Sequence, residues 1–351
     1  MEKMLMKGNE ALAEGALTAG CQAFFGYPIT PSSEIAEYMA RKFPLLGGTF
    51  VQAESELAAI SMVYGGAATG ARVMTASSGP GISLKSEGIS FLAEAELPCL
   101  IVNISRGGPG LGGIQPAQSD YFQATRGGGH GDYNIMVLAP SSVQEMLDFA
   151  MDAFDLADKY RTPVMVMAEG TLGQMMEPIF PRTKVTQFLE KTWATTGCKG
   201  RSPNIVNTLH LSPEYLEYRN QVLQEKYSLI KANEQKAETF WTEDADLVIV
   251  AFGLMSRIVR KAVMEARKQG YKVGLIRPVT LWPFPVDIVR RTAETAKMFL
   301  SVEISMGQMV EDVRLAVNGK VPVEFYGRIG MIPSPEEIAK QIIHLAEREG
   351  F

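Results

Sequence analysis

The stretch GYPITPSSE, residues 26–34, decides the fold. The apolar run Ala23–Tyr27, which leads into it, predicts a buried strand that stops at Pro28. Two prolines then enclose Thr30, which is therefore presented at the carboxyl end of that strand. Open α/β sheets bind their ligands at this end. The stretch therefore predicts one strand of an α/β sheet followed by a ligand-binding turn.

Strands and helices alternate through the rest of the first half of the chain. Further strands are predicted at Val73–Ala76, Leu100–Ile104, Ile135–Leu138 and Pro163–Ala168. Helices are predicted at Ala11–Ala19, Glu34–Arg41 (capped by Ser32 or Ser33), Glu56–Ala68, Ile82–Ala95 and Val143–Lys159. Continuous apolar strands that alternate with helices indicate a parallel sheet covered on both faces.

A second α/β unit follows a region of weaker pattern. Prolines interrupt residues 177–244, where one charged helix is predicted from Ser212-Pro213-Glu214 to about Lys236. Beyond it, strands are predicted at Leu247–Ala251, Lys272–Leu275, Met298–Val302 and Val323–Tyr326, and helices at Ser256–Lys268, Val310–Val317 and Pro335–Arg348. A chain of 351 residues is too long for one ordinary core. We therefore predict two α/β domains, 1–180 and 244–351, joined by an interdomain arm at 181–243.

Composition and charge exclude several functions. The net charge of −5 argues against nucleic-acid or membrane-surface binding, since both need basic patches. The longest apolar stretches, such as residues 97–104 and 247–252, are far too short to span a membrane. No signal-peptide pattern opens the sequence, so a cytoplasmic protein is expected. Its three cysteines form no CxxC pair, which predicts buried thiols and no iron–sulfur or zinc site within this chain.

Three glycine-rich loops are candidates for phosphate-binding sites. GPGLGG (108–113) matches GxGxxG, but Pro116 stands where the following helix should run. SSGPG (77–81) lies between a strand and a helix but lacks GK[ST]; a capping turn and a ligand-lining role both stay open. GGGHGD (127–132) resembles the start of the GDG…N motif that holds magnesium diphosphate in thiamine enzymes, without the asparagine. We therefore predict no dinucleotide, diphosphate or metal site in this chain.

The sequence GYPITPSSE resembles the pyrimidine-binding domain of 2-oxoacid:ferredoxin oxidoreductases. The resemblance continues through QAESE (52–56), TASSGPG (75–81), ISRGG (104–108) and GLIRPVTLWPFP (274–285). GGIQPAQSDYFQ (112–123) and GDYNIMVLAPSSVQEM (131–146) are similar to the α-type subunit of the branched-chain, 2-oxoisovalerate branch. The resemblance implies a thiamine-diphosphate pyrimidine-binding domain and a smaller, transketolase C-terminal-like α/β domain.

The resemblance assigns the cofactor contact to Glu56. This residue is similar to the family's carboxylate that bonds the pyrimidine nitrogen of thiamine and so promotes loss of the thiazolium proton. That chemistry needs a desolvated acid, and the following LAAISMV segment, residues 57–63, supplies apolar neighbours. Glu54 is the rival carboxylate. A surface glutamate that favours a helix dipole is the structural alternative.

The resemblance also assigns the substrate contacts. Thr30 is similar to the family's hydroxyl that contacts the substrate carboxylate or keto oxygen. Arg106 is similar to the guanidinium that pairs with the same carboxylate in forked geometry. Tyr27, Pro28 and Ile29 would line the thiamine and substrate pocket.

The implied reaction needs several chains. Thiamine diphosphate would be shared with a diphosphate-binding β subunit, and magnesium and iron–sulfur clusters would lie on partner subunits, including γ and ferredoxin-like chains. The complex would convert a 2-oxoacid and coenzyme A to acyl-CoA and carbon dioxide and would reduce ferredoxin. A branched-chain substrate is expected, because Arg106 is the only basic residue in segments 26–33, 77–81 and 104–118. The alternatives are 2-oxoglutarate or pyruvate as substrate, a non-catalytic assembly subunit, and a self-sufficient transketolase-like enzyme.

Overall fold

The computed structural model describes residues 3–185 and 188–350. The first half alternates strands and helices in the order β1 (Met4–Lys7), α1 (Gly8–Thr18), β2 (Ala23–Gly26), α2 (Ser33–Leu46), β3 (Thr49–Gln52), α3 (Glu56–Ala68), β4 (Val73–Ser77), α4 (Pro80–Glu94), β5 (Cys99–Ser105), α5 (Tyr121–Thr125), β6 (Met136–Leu138), α6 (Val143–Tyr160), β7 (Pro163–Glu169), α7 (Gly170–Gln174) and β8 (Met176–Ile179).

The second half has the order α8 (Pro213–Asn233), β9 (Ala237–Phe240), β10 (Leu247–Val250), α9 (Gly253–Lys268), β11 (Val273–Pro278), β12 (Thr280–Trp282), α10 (Val286–Thr292), β13 (Met298–Glu303), α11 (Met309–Val317), β14 (Val323–Gly327) and α12 (Pro335–Glu349).

A seven-stranded sheet with the order β12-β6-β7-β5-β4-β2-β3 dominates the first half. All of its pairings are parallel except that of β12 with β6 at one edge. Every residue of β4, β5 and β7 is buried, so helices or loops cover both faces of the central strands. The predicted α/β class and parallel sheet are confirmed; the antiparallel edge strand was not predicted.

A five-stranded sheet with the order β14-β13-β10-β11-β9 forms the second unit. It is parallel except for β9 at its edge. Helices α9 and α12 pack on it around a second core that includes Leu247, Val259 and Ile342. The division into 1–180, 181–243 and 244–351 stays a prediction. Two strands do not follow this division. β9 lies within the predicted arm but belongs to the second sheet, and β12 lies in the predicted second domain but joins the first sheet.

The predicted cap of the second helix is wrong. Ser32 occupies the N-cap position of α2, but its side chain accepts no hydrogen bond from the helix. Its hydroxyl donates to the backbone oxygen of Ile29 instead, at 2.9 Å. The serine therefore closes the turn that follows β2, which is a competing use of the same side chain.

Gln118 and Glu169 join the two sheets. Gln118 Nε2 donates to the Glu169 carboxylate and to the backbone oxygen of Phe252, the latter at 3.0 Å. The backbone nitrogen of Ile304 donates to Gln118 Oε1 at 3.0 Å, and Gln118 N donates to Ile304 O at 2.7 Å. Leu254 N, at the start of α9, donates to both Glu169 oxygens at 3.2 Å. A buried carboxylate thus binds the amino end of a helix from the other sheet, where its charge is favoured.

Glu169 makes stability depend on pH. Burial raises its pKa from 4.5 to about 7, although the amide donors favour the charged form. The folded chain therefore binds this proton more tightly than the unfolded chain, and stability falls as pH rises through that window. We expect the free energy of unfolding to lose about 3 kcal/mol from this group between pH 4.5 and 8.

Urea denaturation of the purified chain at several pH values measures this slope. Glu169→Gln should remove most of it, whereas Glu54→Gln, at an exposed carboxylate, should keep the slope of the unmodified chain. An unchanged slope in Glu169→Gln would mean that other groups cause the pH dependence.

Candidate functional site

The predicted site residues follow three neighbouring strands. β4 pairs in parallel with β2 on one side and with β5 on the other, where Ser77 lies opposite Asn103. Thr30 follows β2 and Arg106 follows β5 directly, while the glycine turn at 78–81 follows β4. The carboxyl ends of parallel strands meet at one edge of a sheet, so these segments lie side by side.

Glu56 is buried against the glycine turn. Ser55 Oγ accepts from the backbone nitrogen of Ala58 at 3.2 Å and caps α3, which fixes Glu56 in the first turn of that helix. Only 7% of Glu56 is exposed. A methyl group at Gly81 would lie 2.7 Å from Glu56 Oε1, so glycine is needed for this approach. Glu54, the rival carboxylate, is exposed.

Arg106 and the Thr30 turn are joined directly. Arg106 Nη1 donates to the backbone oxygen of Thr30 at 2.8 Å, and Nη2 donates to the backbone oxygen of Leu111 at 3.0 Å. Gly79, at φ +47°, packs against the guanidinium, since a methyl group on Gly79 would lie 3.1 Å from Arg106 Nε. The guanidinium is therefore oriented by two backbone carbonyls and lies beside the same glycine turn as Glu56.

The turn after β2 is open to solvent. Tyr27 is 39% exposed, and Pro28 and Thr30 are also exposed, while Ile29 is half-buried. A ligand or another chain could therefore contact these residues without any rearrangement of the core.

The turn after β2 is anchored from behind. Asn9 is fully buried, and its Nδ2 donates to the backbone oxygen of Pro31 at 2.8 Å. The Ser32 hydroxyl closes the same turn by donating to the backbone oxygen of Ile29. The exposed side chains are thus presented on a backbone that buried hydrogen bonds hold in place.

Several buried polar atoms at this edge have no hydrogen-bond partner within the described ranges. They are Ser77 Oγ, Ser78 Oγ, Asn103 Oδ1 and Arg106 Nε. Buried polar atoms are nearly always paired, because an unmade hydrogen bond costs about 1–3 kcal/mol. Their concentration at the ends of β4 and β5 indicates a place where a polar ligand completes the structure. With Glu56 beside Ser77 at the Gly81 position, this edge offers both hydrogen-bond donors and acceptors to a polar ligand.

Sequence reasoning missed two further polar groups near Arg106. Asn103 Nδ2 donates to Asp120 Oδ2 at 3.0 Å. Burial raises the pKa of Asp120, while the Asn103 donor and the charge of Arg106 oppose this. The available signal was a polar residue inside the otherwise apolar run of β5.

Lys85 is a further polar group that sequence reasoning left without a role. It is fully buried in α4, and its Nζ donates to Thr75 Oγ1 at 2.8 Å and to the backbone oxygen of Ala76 at 3.3 Å. Burial lowers the pKa of Lys85 to about 8, and the negative charge of Glu56 acts in the opposite direction.

The remaining expectations concern metals, cysteines and the membrane. In residues 3–185 and 188–350, no cluster of three histidine, cysteine or acidic side chains could hold a metal ion. Cys21 and Cys99 are buried as expected, but Cys198 is exposed, because it lies in the irregular segment before α8. No helix within the described ranges is both long enough and apolar enough to cross a membrane.

Family comparisons cover both halves of the chain. Residues 14–238 match the family described as pyruvate flavodoxin/ferredoxin oxidoreductase, thiamine diphosphate-binding. Residues 245–338 match the family described as pyruvate:ferredoxin oxidoreductase core domain II. The ketoisovalerate oxidoreductase subunit VorB of Methanothermobacter marburgensis is 54% identical over 331 residues, which is 94% of each chain.

Two solved structures extend the comparison. The 2-oxoglutarate:ferredoxin oxidoreductase of Magnetococcus marinus, solved with 2-oxoglutarate, coenzyme A and succinyl-CoA bound, superposes with a TM-score of 0.87 at 31% identity. The match covers 98% of this chain and 65% of that one, so this chain spans about two thirds of its relative. A split-gene transketolase in an inactive β4 tetramer, at a TM-score of 0.61 and 13% identity, shares the fold alone.

Proposed function

The chain belongs to the 2-oxoacid:ferredoxin oxidoreductase family, and on that premise we propose that it binds the thiamine pyrimidine for oxidation of branched-chain 2-oxoacids. In the assembled enzyme the 2-oxoacid and coenzyme A would give acyl-CoA and carbon dioxide, with electrons passed to ferredoxin. One observation carries the proposal: a buried carboxyl, Glu56, lies against the glycine turn, where the Ser77 and Ser78 hydroxyls have no hydrogen-bond partner among residues 3–185 and 188–350.

Glu56 would hold the cofactor. Thiamine diphosphate supplies the carbon nucleophile that decarboxylation of a 2-oxoacid needs. Glu56 would share a proton with the pyrimidine nitrogen, and the Ser77 and Ser78 hydroxyls offer further hydrogen bonds beside it. Gly81 leaves the room for this carboxyl. The exposed Tyr27 and its neighbours Pro28 and Ile29 would line the pocket.

Arg106 and Thr30 would hold the substrate carboxylate. Two backbone carbonyls orient the guanidinium before any substrate arrives, so little conformational entropy is lost when it binds an anion. Arg106 Nε has no partner in the part of the chain that the structure describes. The Thr30 hydroxyl stands at the exposed turn whose backbone Arg106 already contacts.

The proposed site needs a second chain. Four large apolar side chains around it are exposed to solvent: Leu57 and Leu84 by 48% each, Leu111 by 79% and Ile114 by 61%. They lie in the chain segments next to Glu56, Gly81 and Arg106, and exposed apolar groups around a site are typical of an interaction surface. The proposed occupant is the diphosphate-binding β subunit, which would also supply magnesium, while γ and ferredoxin-like subunits would carry the iron–sulfur clusters. A cytoplasmic location is part of this proposal.

Two observations support a branched-chain substrate. The relative at 54% identity is named a ketoisovalerate oxidoreductase subunit, whereas the solved 2-oxoglutarate enzyme is 31% identical. In addition, Arg106 is the only basic residue in segments 26–33, 77–81 and 104–118, so a distal carboxylate finds no cation there. Pyruvate or 2-oxoglutarate is the alternative substrate, and a non-catalytic assembly subunit is the alternative function.

Glu56→Gln tests the cofactor role. In the assembled complex with thiamine diphosphate, we expect exchange of the thiazolium proton, followed by NMR, to slow by roughly 10²–10⁴-fold, the usual value of a general acid–base contact. Glu54→Gln is the matched control, since Glu54 is only two residues away and is exposed. Unchanged exchange in Glu56→Gln, or an equal loss in Glu54→Gln, would remove Glu56 from the mechanism.

The substrate proposal predicts an order of specificities. The reconstituted complex should have a higher kcat/KM for 2-oxoisovalerate than for 2-oxoglutarate, because an unpaired distal carboxylate costs about 1–3 kcal/mol, or roughly 5- to 150-fold. Arg106→Gln should lower kcat/KM for both substrates, since both carry the carboxylate beside the keto group. Equal or better efficiency with 2-oxoglutarate would contradict the branched-chain assignment and leave the cofactor role intact.

A further inference from the structure

Lys85 is a fully buried lysine next to the proposed cofactor contact. It lies four residues after Gly81 on α4, so the two residues share one face of that helix. Glu56 Oε1 approaches the Gly81 position on this face, and Lys85 Nζ reaches the Thr75 hydroxyl and the Ala76 carbonyl of β4. The ammonium is therefore enclosed between α4 and β4, one helical turn from the position that Glu56 Oε1 approaches.

The surroundings of Lys85 contain few other charges. Helix α3 contributes Glu56, and β4 contributes only the neutral groups of Thr75 and Ala76. The loop before β6 places the Tyr133 phenol against the α4 face that carries Ser86, and burial raises the pKa of that phenol. Within the described ranges, Glu56 is the charged side chain whose negative charge raises the pKa of Lys85 against the effect of burial.

We propose that Lys85 is a positioning residue that stabilises the ionised Glu56 carboxylate, and so favours transfer of the shared proton to the pyrimidine ring. This inference rests on the proposed function and adds a residue to it. Burying an ammonium is costly, and a lysine used only for packing is more stable as an apolar side chain of similar shape. The charge of Lys85 therefore acts on Glu56, and water screens this interaction little because both side chains are buried.

The first test needs no cofactor and uses the full chain. Lysine labelled with 13C at Cε reports each ammonium titration by NMR, and Lys85→Met identifies the Lys85 signal. Lys85 should titrate near pH 8, well below exposed lysines at about 10.4.

In Glu56→Gln the titration midpoint of Lys85 should fall by about 0.5 to 2 pH units, the range expected for coupling between neighbouring groups. Glu54→Gln should leave it unchanged. A midpoint insensitive to Glu56→Gln would overturn the proposal.

The second test is a double-mutant cycle in the assembled complex. Lys85→Met should slow thiazolium-proton exchange by about 3- to 100-fold. Lys85→Arg should restore most of the rate, since it keeps the charge. If Lys85→Met does not fold, Lys85→Gln removes the same charge and keeps a donor for Thr75. In a Glu56→Gln background, loss of Lys85 should have no further effect.

The outcomes of the cycle separate this proposal from the proposed function. Independent, multiplicative effects of Lys85→Met and Glu56→Gln would show that Lys85 does not act through Glu56, and would overturn the inference alone. Normal exchange in Glu56→Gln would instead overturn the cofactor role of Glu56, whatever the titration of Lys85.

Discussion

The hydrogen bonds of Gln118 with Glu169 and the second sheet are the constraint on which the rest of the structure depends. The loop that carries the site begins at Arg106, which contacts the Thr30 turn, and ends at Gln118. Gln118 is hydrogen-bonded to the backbone of Phe252 and Ile304, which follow β10 and β13 of the second sheet. The second sheet thus fixes one end of a loop whose other end forms the proposed substrate contact.

The site itself is built at a cost in stability. Strands β4 and β5 end in buried polar atoms that have no partner in the described part of the chain, and α4 buries the ammonium of Lys85. Each unmade hydrogen bond lowers the stability of the fold by about 1–3 kcal/mol. A ligand that completes these hydrogen bonds would remove this destabilisation. Burial of the exposed leucines next to the site against another chain would stabilise the protein further. The folded chain is thus prepared for a cofactor and a partner.

Much of this could be predicted from the sequence, because it is encoded locally. The helix Glu56–Ala68 was predicted with its observed bounds, and the turn with two prolines indicated where ligands bind. Long-range pairing could not be predicted in this way. Strands β9 and β12 each join a sheet in the other part of the predicted division, and nothing near Gln118 or Glu169 in the sequence identifies their partners more than 50 residues away. The predicted cap of α2 was wrong for a related reason. The Ser32 hydroxyl could bond either to the helix or to the preceding turn, and it donates to Ile29 O in the turn. The roles of Glu56, Thr30 and Arg106 stay predictions.

The most direct test of the central claim is an electron cryo-microscopy structure of the assembled complex with thiamine diphosphate and magnesium bound. The account predicts the Glu56 carboxylate within about 3 Å of the pyrimidine nitrogen. It also predicts the diphosphate and its metal on the partner chain, with Leu57 and Leu111 buried between the two. A cofactor held wholly by one chain, or a pyrimidine ring that contacts a different carboxylate, would contradict it.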